Sequence, residues 1–386
     1  MLINSKKLKK MTEKFDIKPN IIIDTGTGYC KSGFSTEESP SSIIPCLVGR
    51  QKYVSGRVGF EKKKFYIGNE AASISGVLNI NNPISYGVVN NWDDIEKMLG
   101  YIFSSELKIE PSEYNILLSE TPMNPKENKE KLAQIMFENF NVQGLYIELE
   151  SLLSLFSAGK DTGISVDLGD GISHFVPIYY GCSLTHAMKR IYLAGRDLTE
   201  YMDKLLQNKG YSFTTMAEKE IIKDIKEKAC YILNNNNNNN EINEIKNFLY
   251  ELPDGNTIEL KEERIKCPEA LFNPKIINKE ENNITQNCFE SIEKCDNDIK
   301  KDMYKCIVLS GGCSMFEGLE ERFYKEIKSL VNDEMKNEIK LVSGNDKKYG
   351  VWTGGALLSM SGFELKWITK PEYEEFGDLI VHKKCV

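Results

Sequence analysis

Two stretches of this 386-residue chain end a β-branched run in aspartate and follow it with two spaced glycines: Ile21-Ile22-Ile23-Asp24-Thr25-Gly26-Thr27-Gly28 and Ile164-Ser165-Val166-Asp167-Leu168-Gly169-Asp170-Gly171. Glycines in a hairpin turn let backbone amides come close to a ligand and reach positive φ angles. Amides so placed suit phosphate oxygens. Thr27 adds a hydroxyl donor and Lys31 a positive charge. Asp24 and Asp167 would repel phosphate if left alone. With Mg2+ between carboxylate and phosphate the signs work, because Mg2+ takes oxygen ligands and keeps several waters. His174, just past the second turn, is one of only three histidines. It reads equally well as a hydrogen-bonded core residue and as a group beside the phosphates.

A third glycine turn, Leu309-Ser310-Gly311-Gly312-Cys313-Ser314, joins a strand-like run to a helical one. Gly311 and Gly312 could pack against a flat base or ribose, where a side chain would clash. Two phosphate turns and a base-binding turn point to a nucleotide clamped between two half-molecules. A single Asp-x-Gly-x-Gly is usually an ordinary turn; its repetition about half a chain apart carries the argument. No Gly-x-x-x-x-Gly-Lys-[Ser/Thr] occurs, which excludes a P-loop, and no Gly-x-Gly-x-x-Gly opens a helix after a strand.

The elements that must position these groups follow from periodicity. Residues 21–23 read as a strand and Tyr29 to Ser35 as its return. Residues 132–141 have helical spacing, and 145–149 alternate like a strand. The second half repeats the plan, with 175–184 as the return strand and 196–233 as helix. From Met303 the order is strand, glycine turn, helix, and apolar helical stretches follow Tyr349. Residues 50–70 form a polar, lysine-rich excursion that reads as a small mobile lobe. Seven asparagines, 234–240, offer no apolar face and read as a solvated loop.

Composition narrows the class. Hydrophobic content of 41% and charge of 27% are ordinary for a globular protein, and a net charge of −8 gives no positive field for nucleic acid. No apolar run approaches the ~20 residues that span a bilayer. The basic N-terminus lacks the apolar core of a secretory signal, so residues 1–20 read as a solvated tail. The ten cysteines include no Cys-x-x-Cys pair and match no zinc spacing. They read as reduced thiols of an intracellular, soluble protein.

From Ile21 to Val386 the chain resembles actin. Besides the three glycine turns, the likeness rests on Asn91-Trp92-Asp93-Asp94, residues 134–141, 193–202, 210–221, 224–231, 250–255, 266–272 and the ending Ile380 to Cys385. The resemblance implies the α/β actin-type ATPase fold: two similar domains, four subdomains in all, with a nucleotide cleft between them. It places subdomain 1 at 21–45, 83–157 and 350–386, and subdomain 2 at 46–82. Subdomain 3 falls at 158–193 and 280–349, and subdomain 4 at 194–279.

The resemblance also implies ATP or ADP with Mg2+ or Ca2+. Asp24 and Asp167 would hold the metal through water. Thr25, Gly26, Thr27, Gly28, Tyr29 and Lys31 match the first phosphate loop, and Gly169, Asp170, Gly171 and Ile172 the second. Arg196, Asp197, Lys226, Glu227, Gly311, Gly312, Cys313, Met315, Phe316 and Lys348 match positions around ribose and base. His174 matches a histidine near the attacking water. The implied partners are proteins, including other actin-family subunits or a multi-subunit complex, with no direct nucleic-acid contact and no membrane span. The implied location is cytoplasm and cytoskeleton, with the nucleus as the alternative.

Departures from the family set this chain apart. Where the family has a glutamine that orients the attacking water, this chain has Glu150. A carboxylate there can accept a hydrogen bond or act as base but cannot donate, and its charge sits badly beside a γ-phosphate. That predicts altered, slowed hydrolysis. A second reading gives Glu150 only the role of complementing a helix N-terminus. The segment corresponding to the DNase-binding loop, 52–64, carries Arg57 and a lysine cluster, and the hydrophobic-plug segment reads Asn278-Lys279-Glu280-Glu281-Asn282-Asn283. Burying such charges unpaired between subunits is costly. The tail is basic where actin's is acidic, and Tyr86 stands at the often-methylated histidine. These features favour an actin-related, complex-forming protein with slow hydrolysis. A conventional filament-forming ATPase and a nuclear chromatin-complex subunit are the alternatives.

Overall fold

The computed structural model describes residues 18–52, 63–233, 247–342, 347–360 and 365–385. The expectations for the tail, for Arg57 and for the asparagine run fall outside them. The β-branched runs become central strands of two sheets. In the first, β1 (Ile21–Thr25) pairs antiparallel with β2 (Tyr29–Phe34), and β2 with β3 (Ser42–Pro45). On the other side of β1, β4 (Asn115–Glu120) and then β5 (Gly144–Leu149) run parallel to it.

The second sheet repeats the arrangement. Its β6 (Gly163–Leu168) pairs antiparallel with β7 (Ser173–Tyr179), which also carries β8 (Cys182–Ser183) and β9 (Lys189–Ile191). Beyond β6, β10 (Ile307–Ser310) and β11 (Leu341–Val342) run parallel. A short antiparallel edge strand, β12 (Ile368–Thr369), closes the first sheet. The duplicated motif in the sequence is thus a duplicated topology.

Alternation along the strands sorts side chains between faces. Ile21 and Ile23 enter one core of the first sheet, and Ile22 enters another with Leu117, Leu153 and Trp352. In the second sheet Val166 and Leu309 face one core, while Val176, Ile178 and Val308 face another. Helix α1 (Glu150–Ser157) lies between the sheets and is apolar on more than one side, as a helix buried all round must be. Its Leu153 joins Ile22 and Trp352, while Leu152 and Leu155 join Val176 and Val308.

The predicted helix over 196–233 is two helices, α2 (Gly195–Asn208) and α3 (Met216–Ala229). Gly210 at φ +94 ends the first, and Thr215 with Glu218 forms a capping box that starts the second. The predicted return strand over 175–184 reverses at Tyr180 and Gly181, both at positive φ, so β8 folds back on β7. The excursion over 50–70 begins in a three-stranded sheet of Val48–Gln51, Tyr66–Ile67 and Leu78–Asn81, with its own small core around Leu47, Ala71 and Leu78. Helices α4 (Leu319–Leu330) and α5 (Gly350–Met360) complete the frame. A Cβ on Gly354 would lie 1.8 Å from the Leu153 carbonyl oxygen, so α5 and α1 touch backbone to backbone.

Candidate functional site

The turns after β1 and β6, the turn after β10, the start of α1 and the side of α3 enclose a cavity of about 420 Å³. Strand parity explains why its acids converge. Asp24 shares the face of Ile22, and Asp167 the face opposite Val166; both faces look towards α1, whose first residue is Glu150. Each aspartate is buried at the end of its strand and served by a serine from the adjacent parallel strand. Ser119 Oγ on β4 donates to Asp24 Oδ1 (2.8 Å), and Ser310 Oγ on β10 donates to Asp167 Oδ2 (2.6 Å). The duplication therefore extends to the partners of the acids. Lys31 on β2 adds an ion pair to Asp24 Oδ2 at 2.6 Å.

The two turns pack reciprocally. A Cβ on Gly28 would lie 2.9 Å from Asp170 Cβ, and one on Gly171 would lie 2.9 Å from Thr27 Cγ2. The third residue after each aspartate thus rests on the fourth residue of the other turn. The expected positive φ is not what these glycines supply: Gly26, Gly28, Gly169 and Gly171 all lie outside that region. They are needed for close approach. Gly311 does have φ +84, but its missing side chain makes room for protein, since a Cβ would lie 2.4 Å from the Leu168 carbonyl oxygen. Gly312 instead faces open space in the cavity wall.

Electrostatics follow from three carboxyl groups around one ammonium. Burial alone would lower the Lys31 pKa, but Asp24 beside it, with Asp167 and Glu150, holds it above its ordinary value. Burial raises Asp167, against the hydrogen bond from Ser310 and the charge of Lys31. Burial, then Asp24 and Asp167, push Glu150 well above the carboxylate range; Thr121 Oγ1, donating to Oε1 at 3.1 Å, only partly opposes them. Burial therefore favours the neutral form of this carboxyl over the expected charged one. Burial and the nearby Arg190 hold His174 down to about 3, so its imidazole is neutral, and its buried Nε2 has no hydrogen-bond partner among the described residues. Among the described residues no three His, Cys, Asp or Glu side chains converge to cage a metal. A cation here would keep much of its water shell.

Most of the expected residues meet at this cavity. Its wall includes Asp24, Gly26 to Tyr29, Lys31, Glu150, Asp167, Gly169 to Ile172, His174, Lys226, Glu227, Gly311 to Cys313, Met315, Phe316 and Lys348. Lys226 Nζ is anchored on Gly195 O (2.8 Å) and Thr199 Oγ1 (2.9 Å). Three residues lie off the wall. Thr25 borders a separate void of about 40 Å³. Arg196 borders another of about 110 Å³ behind the turns, where its guanidinium reaches Asp170 at 3.4 Å. Asp197 accepts from the Ala194 N–H (2.9 Å) and pairs with Lys279 (2.7 Å), which fixes the start of α2.

Sequence reasoning did not find Thr121, Gly87, Lys223 or Lys347, which also line the cavity. None belongs to the three glycine turns that the sequence singles out, and each is delivered by packing from elsewhere. The 278–283 segment is held against its own chain: besides the Asp197 pair, Lys279 donates to the Tyr192 carbonyl and Glu281 accepts from the Tyr192 N–H (3.3 Å). No helix among the described residues is long and apolar enough to cross a membrane. In a comparison with protein-family models, residues 16–386 match the family described as Actin.

Proposed function

This chain belongs to the actin family, and from that premise we propose that it holds ATP or ADP, with Mg2+ or Ca2+, in the cavity between its two sheets. The nucleotide state sets how closely the halves approach and so how tightly protein partners bind. The observation that carries this reading is the reciprocal packing of the two Asp-x-Gly-x-Gly turns. A phosphate chain lodged there would touch both halves at once.

The residues fit such a ligand. The turn backbones with Lys31 would hold phosphates, and Asp24 and Asp167 would accept hydrogen bonds from water on the cation. Gly312 to Phe316, Lys226, Glu227 and Lys348 would flank ribose and base. The orphaned Nε2 of His174 is a buried polar atom that water in the cavity would satisfy. Bound ATP and its cation would supply a phosphoryl group open to attack by water. His174 and Glu150 position that water, with Thr121 fixing the Glu150 carboxyl. Where the family's glutamine donates and accepts without charge, Glu150 must either set a negative charge beside the γ-phosphate or carry an extra proton in a buried site, and either cost supports slow hydrolysis that Glu150→Gln would relieve.

In this reading the subdomain boundaries inferred from the resemblance apply, and the protein acts in cytoplasmic, cytoskeletal complexes. The polar, self-anchored 278–283 segment supports complex formation over a conventional filament. Single-turnover phosphate release from the wild type and from Glu150→Gln tests the catalytic part. Faster release from the variant supports it, and equal rates contradict it.

A further inference from the structure

We propose that Tyr29 and Lys223 form a cation–π clasp across the cavity that holds its two halves together and slows exchange of the bound nucleotide. Tyr29 opens β2 in the first sheet, while Lys223 sits on α3, whose Ile222 and Ile225 are buried in the core of the second. The Lys223 ammonium lies 4.0 Å from the centroid of the Tyr29 ring. Both residues are half-buried and both line the cavity. Burial alone would lower the ammonium pKa, but Asp170 and the Tyr29 side chain outweigh it, so the cation persists at neutral pH.

Position gives the contact its consequence. The turns already meet at Gly28 with Asp170 and at Gly171 with Thr27. Helix α3 also touches the short helices Gly68–Ser73 and Ser75–Val77 of the first half, so it is an element that reaches across. Parting the halves to release a ligand must separate ring from ammonium. A cation over an aromatic face in a partly desolvated site resists separation enough to slow opening roughly 2- to 30-fold. A phenol ring does this and an aliphatic side chain does not.

The clasp rests on the reading of the cavity as a nucleotide site, and one experiment separates the two. Full-length protein is loaded with a fluorescent ethenoadenosine triphosphate and Mg2+, then chased with excess ATP, and release is followed by stopped flow. Tyr29→Leu and Lys223→Met should each speed release roughly 2- to 30-fold. The double variant should be no faster than the faster single one, and Tyr29→Phe, which keeps the ring, should return release towards the wild-type rate. Binding with unchanged release in Tyr29→Leu overturns the clasp alone, as does Tyr29→Phe matching Tyr29→Leu. Acceleration by Lys223→Met alone overturns it in favour of direct phosphate binding by the lysine. Failure of the wild type to bind the analogue overturns both readings.

Discussion

Glu148 lies on β5, two residues before Glu150, and is almost wholly buried. Its Oε1 accepts from the Leu149 N–H (2.9 Å) and its Oε2 from the Tyr146 hydroxyl (3.2 Å). Lys129, whose charge favours ionisation of Glu148, is already engaged by Glu120 (2.8 Å) and the Cys385 carbonyl (2.9 Å). Burial therefore pushes the Glu148 carboxyl up from 4.5 to about 7, with Glu120 adding and Leu149, Tyr146 and Lys129 opposing. Between those values the unfolded chain has released a proton that the folded chain retains, so this group weakens the fold as pH rises through the window. At 1.36 kcal/mol per pH unit, the loss is about 3 kcal/mol once pH exceeds 7. Glu148→Gln keeps a carbonyl for the Leu149 N–H and cannot ionise. Thermal unfolding of wild type and variant at pH 5, 6, 7 and 8, at constant ionic strength, should show midpoints that nearly coincide at pH 5. They should then separate by several degrees in favour of the variant by pH 8. A difference independent of pH, or a wild type more stable at pH 8, would refute the argument from burial.

Glu150→Gln should speed single-turnover phosphate release, and a tenfold gain would correspond to about 1.4 kcal/mol of barrier. The same substitution should stabilise the ligand-free protein increasingly as pH rises above the ordinary glutamate range, read from unfolding midpoints, because the native acid must stay neutral to remain buried. Gly171→Ala places a methyl group against Thr27 and should cost about 1–3 kcal/mol in stability and weaken ATP binding, measured by thermal shift with and without nucleotide. Chelating divalent cations should remove most of the thermal stabilisation that ATP confers. Sedimentation with Mg2+ and ATP should leave most of the protein in the supernatant; quantitative pelleting would favour a conventional filament.

The acids and glycines of the site were legible because the chain writes them twice: Asp24 and Asp167 each close a β-branched run and open a Gly-x-Gly turn. Their supports were not. Ser119 lies 95 residues from Asp24 and Ser310 143 from Asp167, and only parallel strand pairing brings them alongside. The reciprocity of Gly28 with Asp170 and of Gly171 with Thr27 has no local signature, so the sequence suggests close approach to a ligand and positive φ where the glycines serve the close approach of one turn to the other. Asp197 matched a ligand position by motif, yet Lys279 and the Ala194 amide occupy its carboxylate. Glu150 was found as a substitution, but its raised pKa comes from burial and from two aspartates, one on each sheet, none of which a linear reading supplies. Tyr29 was assigned to the phosphate loop, and its partner Lys223 comes from the other half of the fold.

The central claim is that both halves of the fold grip one adenine nucleotide through its phosphates and a hydrated divalent cation. Isothermal titration of ATP into the full-length protein, with and without Mg2+, tests it most directly. The account predicts saturable binding of one ATP per chain that weakens at least roughly tenfold without the cation, as expected when two buried aspartates must face phosphate unscreened. Absence of saturable binding, or equal affinity with and without Mg2+, would contradict it.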